Sequence, residues 1–112
     1  MIEYIKNSKS IILFHLDIEG NVLYGNNAYK NILKYQDNNI RKKFINPVFE
    51  KMIGLSPGND LIFEGIITFE KGKTDSSFCA KVFQEKGKMI FLCEYDCFEM
   101  ESFFKEMSIK FK

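Results

Sequence analysis

Asp17-Ile18-Glu19-Gly20-Asn21-Val22-Leu23-Tyr24-Gly25-Asn26 is the stretch whose reading decides the fold. Its D-x-x-G portion, Asp17 to Gly20, is turn chemistry: an aspartate able to accept from nearby backbone N–H groups, and a glycine available for positive φ. Before it, Ile11 to Ile18 is rich in β-formers. Ile12, Phe14, Leu16 and Ile18 fall on one side, and Ile11, Leu13 and His15 on the other. A strand apolar on both sides needs cover on both. After the turn, Val22-Leu23-Tyr24 restarts the sheet, so the segment reads as a hairpin. Asn26 or Asn27 then offers an N-cap for a helix through Tyr35, with Tyr29, Ile32 and Leu33 at helical spacing.

Further along, Phe44, Ile45, Val48, Phe49, Met52 and Ile53 form a second amphipathic stretch, with Pro47 placed near a helix start. Ser56-Pro57-Gly58-Asn59-Asp60 closes the helical section. Three strands follow. In the first, Leu61, Phe63, Ile67 and Phe69 alternate with Ile62, Glu64, Ile66 and Thr68, and Gly65 keeps register with the first set. Lys71-Gly72-Lys73 turns the chain into a strand with Phe78, Ala80 and Val82 on one face. Lys86-Gly87-Lys88 turns it again into the run Met89 to Tyr95. The pattern predicts an α+β domain: a five-stranded antiparallel sheet with helices on one face and a C-terminal connector helix. It divides into a lead-in helix over 1–9, a core over 10–96 and a terminal helix over 97–112.

With 112 residues, 46% of them hydrophobic, the chain has enough apolar material for one core. Sixteen Lys+Arg balance fifteen Asp+Glu, and Arg41 is the only arginine, so the basic excess of a nucleic-acid binder is missing. Arg41-Lys42-Lys43 reads as a solvated helix face. Cys79, Cys93 and Cys97 form no C-x-x-C pair and have no nearby histidine, which argues against a disulfide framework and a zinc site. Cysteines inside strands read as small hydrophobes, pointing to the reducing cytoplasm. No apolar run approaches the roughly 20 residues that span a bilayer.

Taken together, the D-x-x-G of Asp17 to Gly20, Asn26 opening the first helix, the glycine-flanked entry into the third strand from Gly58 to Gly65, and the Lys-Gly-Lys turns resemble a PAS domain. The resemblance runs from about residue 8 to about residue 100. It implies a sensory module of a bacterial signalling protein, in which Asp96 leads into an output helix. At that junction Asp96 is followed by Cys97 and Phe98, where many family members have Ile-Thr. The hydroxyl of that position is therefore missing here.

Catalysis needs a nucleophile with a positioned base, or paired acids in a cleft. His15, the single histidine, sits in mid-strand, so no enzyme is expected. Haem-binding relatives place a ligating histidine on the helix before the third strand, whereas residues 43–53 contain none. Flavin photosensors of the family use an Asn-Cys-Arg motif that this chain lacks. Phe14, Leu16, Tyr29, Leu33, Phe49, Phe63, Ile67, Phe78 and Ala80 are the candidate lining of an interior pocket. Gly65 and Ala80 free volume for a small unidentified ligand; the rival reading is that neighbouring Phe rings fill it. Cys97, Met100, Phe104, Met107 and Phe111 step by three, four, three and four residues, the seam of a coiled coil. Met100, Phe104, Met107 and Phe111 are accordingly the expected dimer and output contacts. They would lead to a covalently linked output domain such as a histidine kinase or diguanylate cyclase. The alternative function is a ligand-free structural dimerisation domain.

Overall fold

The computed structural model describes residues 10–53 and 61–94. The expected lead-in helix, Asp96 and the terminal helix with Met100, Phe104, Met107 and Phe111 lie outside the described residues.

Six strands form one antiparallel sheet in the order β2-β1-β6-β5-β4-β3. They are β1 (Ile12–Asp17), β2 (Val22–Gly25), β3 (Phe44–Asn46), β4 (Leu61–Lys71), β5 (Thr74–Glu85) and β6 (Lys88–Glu94). Among the described residues the helical elements are short. A π-type turn covers Tyr29–Leu33, a 3₁₀ turn Arg41–Lys43, and α1 spans Phe49–Ile53. The molecule is thus mostly β, where the sequence pattern predicts five strands and larger helices.

The sixth strand is β3. Phe44 pairs with Phe69 and Asn46 with Thr68. Its residues read as helical by spacing, yet Asn46 precedes Pro47, whose ring pushes the preceding residue toward extended backbone. The apolar residues there do not share one face: Phe44, Phe49 and Met52 are buried, while Ile45, Val48 and Ile53 are exposed. The first helix ends two residues early because Lys34 adopts a left-handed conformation (φ 56°) and its N–H closes on the Tyr29 carbonyl.

In β1, Ile12, Phe14 and Leu16 face the core as the alternation predicts. Ile18 does not, because it has already left the strand and is 55% exposed. A register shift between Leu61 and Phe63 also breaks the expected alternation of β4. Phe63 stays opposite Val82 on the inner face, but Leu61 now opposes Phe83 on the outer face. The principal core is aromatic. Phe14 stacks on Phe91 (centroids 4.7 Å, planes 2° apart), and Phe44 lies 4.8 Å from Phe69 and 5.3 Å from Phe49.

Asn26 joins the first hairpin to the helical layer. β1 and β2 pair as far as Phe14 with Gly25, and the chain then turns away from the sheet. The Asn26 side chain takes over the next part of the ladder. Its Oδ1 accepts from Leu13 N (3.1 Å) and its Nδ2 donates to Ile11 O (2.9 Å), while its backbone N–H reaches Leu13 O (2.9 Å). The same Oδ1 accepts from Tyr29 N at 2.9 Å, three residues on, which is an N-cap bond. The side chain is 2% exposed. Replacing Asn26 with Ala removes its hydrogen bonds to Leu13, Ile11 and Tyr29 at once and should cost about 3 kcal/mol. Urea denaturation of the variant beside wild type checks this.

Candidate functional site

All the proposed pocket residues are brought together. Phe14, Leu16, Tyr29, Leu33, Phe49, Ile67, Phe78 and Ala80 are buried members of one cluster, and Phe63 packs against it partly buried. Gly65 does pair with Ala80 across β4 and β5, as two small residues on the inner face. A methyl group added at Gly65 would sit 3.2 Å from Phe63 Cζ, so the Phe63 ring already leans over the space that the glycine leaves.

Tyr29 is the polar member of the cluster. Its ring lies 5.1 Å from Phe14 and 6.5 Å from Tyr35. It rests on the backbone of Gly25, where a Cβ would come 2.3 Å from Tyr29 Cδ1, so only glycine permits the contact. Burial, reinforced by the Asp37 carboxylate, pushes its pKa up to about 12. Tyr35 is also raised, mainly by burial, and its hydroxyl donates to the Glu70 carbonyl. Lys43 stands over the Tyr35 ring at 5.6 Å and pairs with Asp37 at 3.7 Å. Sequence spacing singled out Tyr29 but missed Tyr35, Asp37 and Lys43, because none carries a motif and a loop brings them together. The expected solvated face at Arg41 to Lys43 is a single 3₁₀ turn with no buried residue, and Arg41 Nε lies 2.5 Å from Glu50 Oε1.

The turn residues are occupied structurally. Asp17 Oδ1 accepts from Glu19 N and Asn21 N, each at 2.9 Å, and Oδ2 accepts from Asn21 Nδ2 at 3.0 Å. Gly20 has φ 94° and lies against Arg41, leaving no room for a side chain. Residues 38–41 are laced to this turn. Val22 N donates to Asn38 O (2.7 Å), Ile40 N to Gly20 O (3.0 Å), and Asn39 Nδ2 to Glu19 O (3.0 Å).

His15 lies on the opposite face of the sheet, its ring 5.3 Å from Tyr24. Burial first, then the nearby Lys88 cation, lowers its pKa, with Glu85 opposing. Cys93 is a free, buried thiol raised by burial. Cys79 corrects the expectation of free cysteines: it is disulfide-bonded. Cysteine usage therefore does not argue for a reducing compartment. Among the described residues no cluster of His, Cys, Asp or Glu is arranged to hold a metal, and no helix is long and apolar enough to cross a membrane.

No family model matches the sequence, and no curated protein matches it. Among solved structures, the chain is similar to the N-terminal region of DhaR in the crystal structure of the E. coli DhaR(N)–DhaL complex. The TM-score is 0.59 at 14% identity, over 83% of this chain and 34% of that one. The chain thus spans about a third of the length of that neighbour, and at this identity the likeness is one of fold.

The hydrogen bonds of Asp17 give a pH prediction. The Asn21 side-chain amide first, then the N–H groups of Asn21, Glu19 and Gly20, hold its carboxyl below the usual 3.8. A carboxylate with a lowered folded pKa stabilises the fold above its unfolded pKa, and that stability is lost as pH falls through the folded value. The Tm advantage of wild type over Asp17→Asn should be full at neutral pH and shrink below about pH 4. A gap that stays constant in an acid melting series would contradict this.

Proposed function

We propose that the chain is a PAS-type regulatory sensor module of a bacterial signalling protein, taking its input in the aromatic interior. The observation that carries this reading is the fold likeness to DhaR(N), joined to the ordered motifs from Asp17 to Asn26. DhaR(N) was crystallised with a protein partner, DhaL, which suits a module that passes a state on to another protein. A small molecule bound in the interior would act only through different affinity for two conformations of the chain. The finer reading is a homodimer whose segment after Asp96 leads to a covalently linked histidine kinase or diguanylate cyclase. No catalytic role, nucleic acid or membrane insertion is assigned to this segment.

The structural alternative, a dimerisation domain that senses nothing, is favoured by the leaning of Phe63 over Gly65, which fills part of the interior. Native mass spectrometry of the intact, gently purified chain separates the two. The sensor reading expects a non-covalent small molecule on the chain, lost on denaturation. A ligand-free dimer at every concentration would assign it to the structural role.

A further inference from the structure

Among the described residues, Tyr29 Oη is the buried side-chain polar atom without a hydrogen-bond partner. Tyr29 is 5% exposed. Buried hydroxyls are nearly always paired, so one that is not calls for a physical account. Its surroundings narrow the choice. The Phe14 and Tyr35 ring centroids lie 5.1 and 6.5 Å from that of the Tyr29 ring. The Tyr35 hydroxyl is already committed to the Glu70 carbonyl, and Asp37 to Lys43.

An enclosed water needs two to four polar partners, and among the described residues Tyr29 Oη is the unpaired buried side-chain polar atom. A molecule with a single polar atom on an apolar body suits such a place better. The phenol keeps its proton at physiological pH, so its unpaired O–H is a donor that an acceptor oxygen on a guest would satisfy. The nearby carboxylate of Asp37 disfavours an anion.

We propose that Tyr29 Oη is the anchoring donor of an interior site for a small neutral molecule carrying one acceptor oxygen, a ketone or an alcohol. The proposal rests on the sensor reading and gives that input a chemical class. Tyr35, whose ring contacts that of Tyr29, belongs to the segment from Lys34 to Ile40. That segment begins at a left-handed residue and ends on fully buried Ile40. Between them it is held by Tyr35 on Glu70, by Asp37 on Lys43 and by Asn38 on Val22. Partly exposed fastenings of this kind open at low cost relative to the core.

The test uses a matched pair of probes on the whole chain, cyclopentanone and cyclopentane, which differ in the carbonyl. Backbone amide resonances of residues 29–37 report binding in wild type and in Tyr29→Phe, a variant that removes only the hydroxyl. The expected result is a saturable shift with cyclopentanone, about tenfold weaker for cyclopentane and about tenfold weaker for Tyr29→Phe. Equal affinity for the two probes, unchanged affinity in the variant, or no saturation overturns the proposal. So does a long-lived water at Tyr29 Oη, detected by cross-relaxation, that neither probe displaces. A ligand seen by native mass spectrometry and retained by Tyr29→Phe would sink this site while leaving the sensor reading intact. A ligand-free preparation with a Tyr29-dependent cyclopentanone shift would do the reverse.

Discussion

One side-chain amide sets the relation between the sheet and everything packed on it. At Asn26 the chain must leave the β1–β2 ladder and begin a helix within a residue, which would normally orphan backbone groups on both elements. Asn26 meets both needs, bonding Leu13 and Ile11 as a strand would and Tyr29 as a cap would. The position of Tyr29 follows, since three residues of helix carry its ring back over Gly25 and onto Phe14. From Phe14 the ring contacts spread to Phe91 and Phe69, and through them to Phe44, Phe49 and Phe78. The core is therefore ordered outward from a polar contact at its edge.

The hairpin and the inward alternation of β1 and β5 were legible in the sequence because both rest on local rules. D-x-x-G is a turn by side-chain chemistry, and Ile12, Phe14 and Leu16 or Phe78, Ala80 and Val82 show the period of two. Two features escaped for the opposite reason. β3 is held by pairing with β4, a partner distant in sequence, and its own residues read equally well as helix. The irregularity at Leu61 to Phe63 is an inserted residue in a ladder, which composition does not announce.

For the candidate site, hydrophobic periodicity picked out side chains that are buried in one cluster, because burial and periodicity are the same signal. The polar group that gives the cluster chemical character was legible only as another aromatic. Tyr35, Asp37 and Lys43 gather around it through loop geometry that no spacing rule encodes. The disulfide at Cys79 was likewise hidden, since an odd number of cysteines is compatible with one bridge and one buried thiol.

The three hairpin turns of the sheet differ in how much foreign sequence each would accept. Gly72 and Gly87, at the tips of the two later hairpins, have nothing within 4 Å of an added Cβ, so grafted loops, labels or inserted domains meet open solvent there. The turn at Gly20 is stitched to Asn39, Ile40 and Arg41 and works as a seam rather than a tip. Lengthening it would separate two stretches of chain that are now bonded side by side. Engineers of this scaffold, and insertions over its history, should therefore collect at the lysine-flanked tips and spare the aspartate turn.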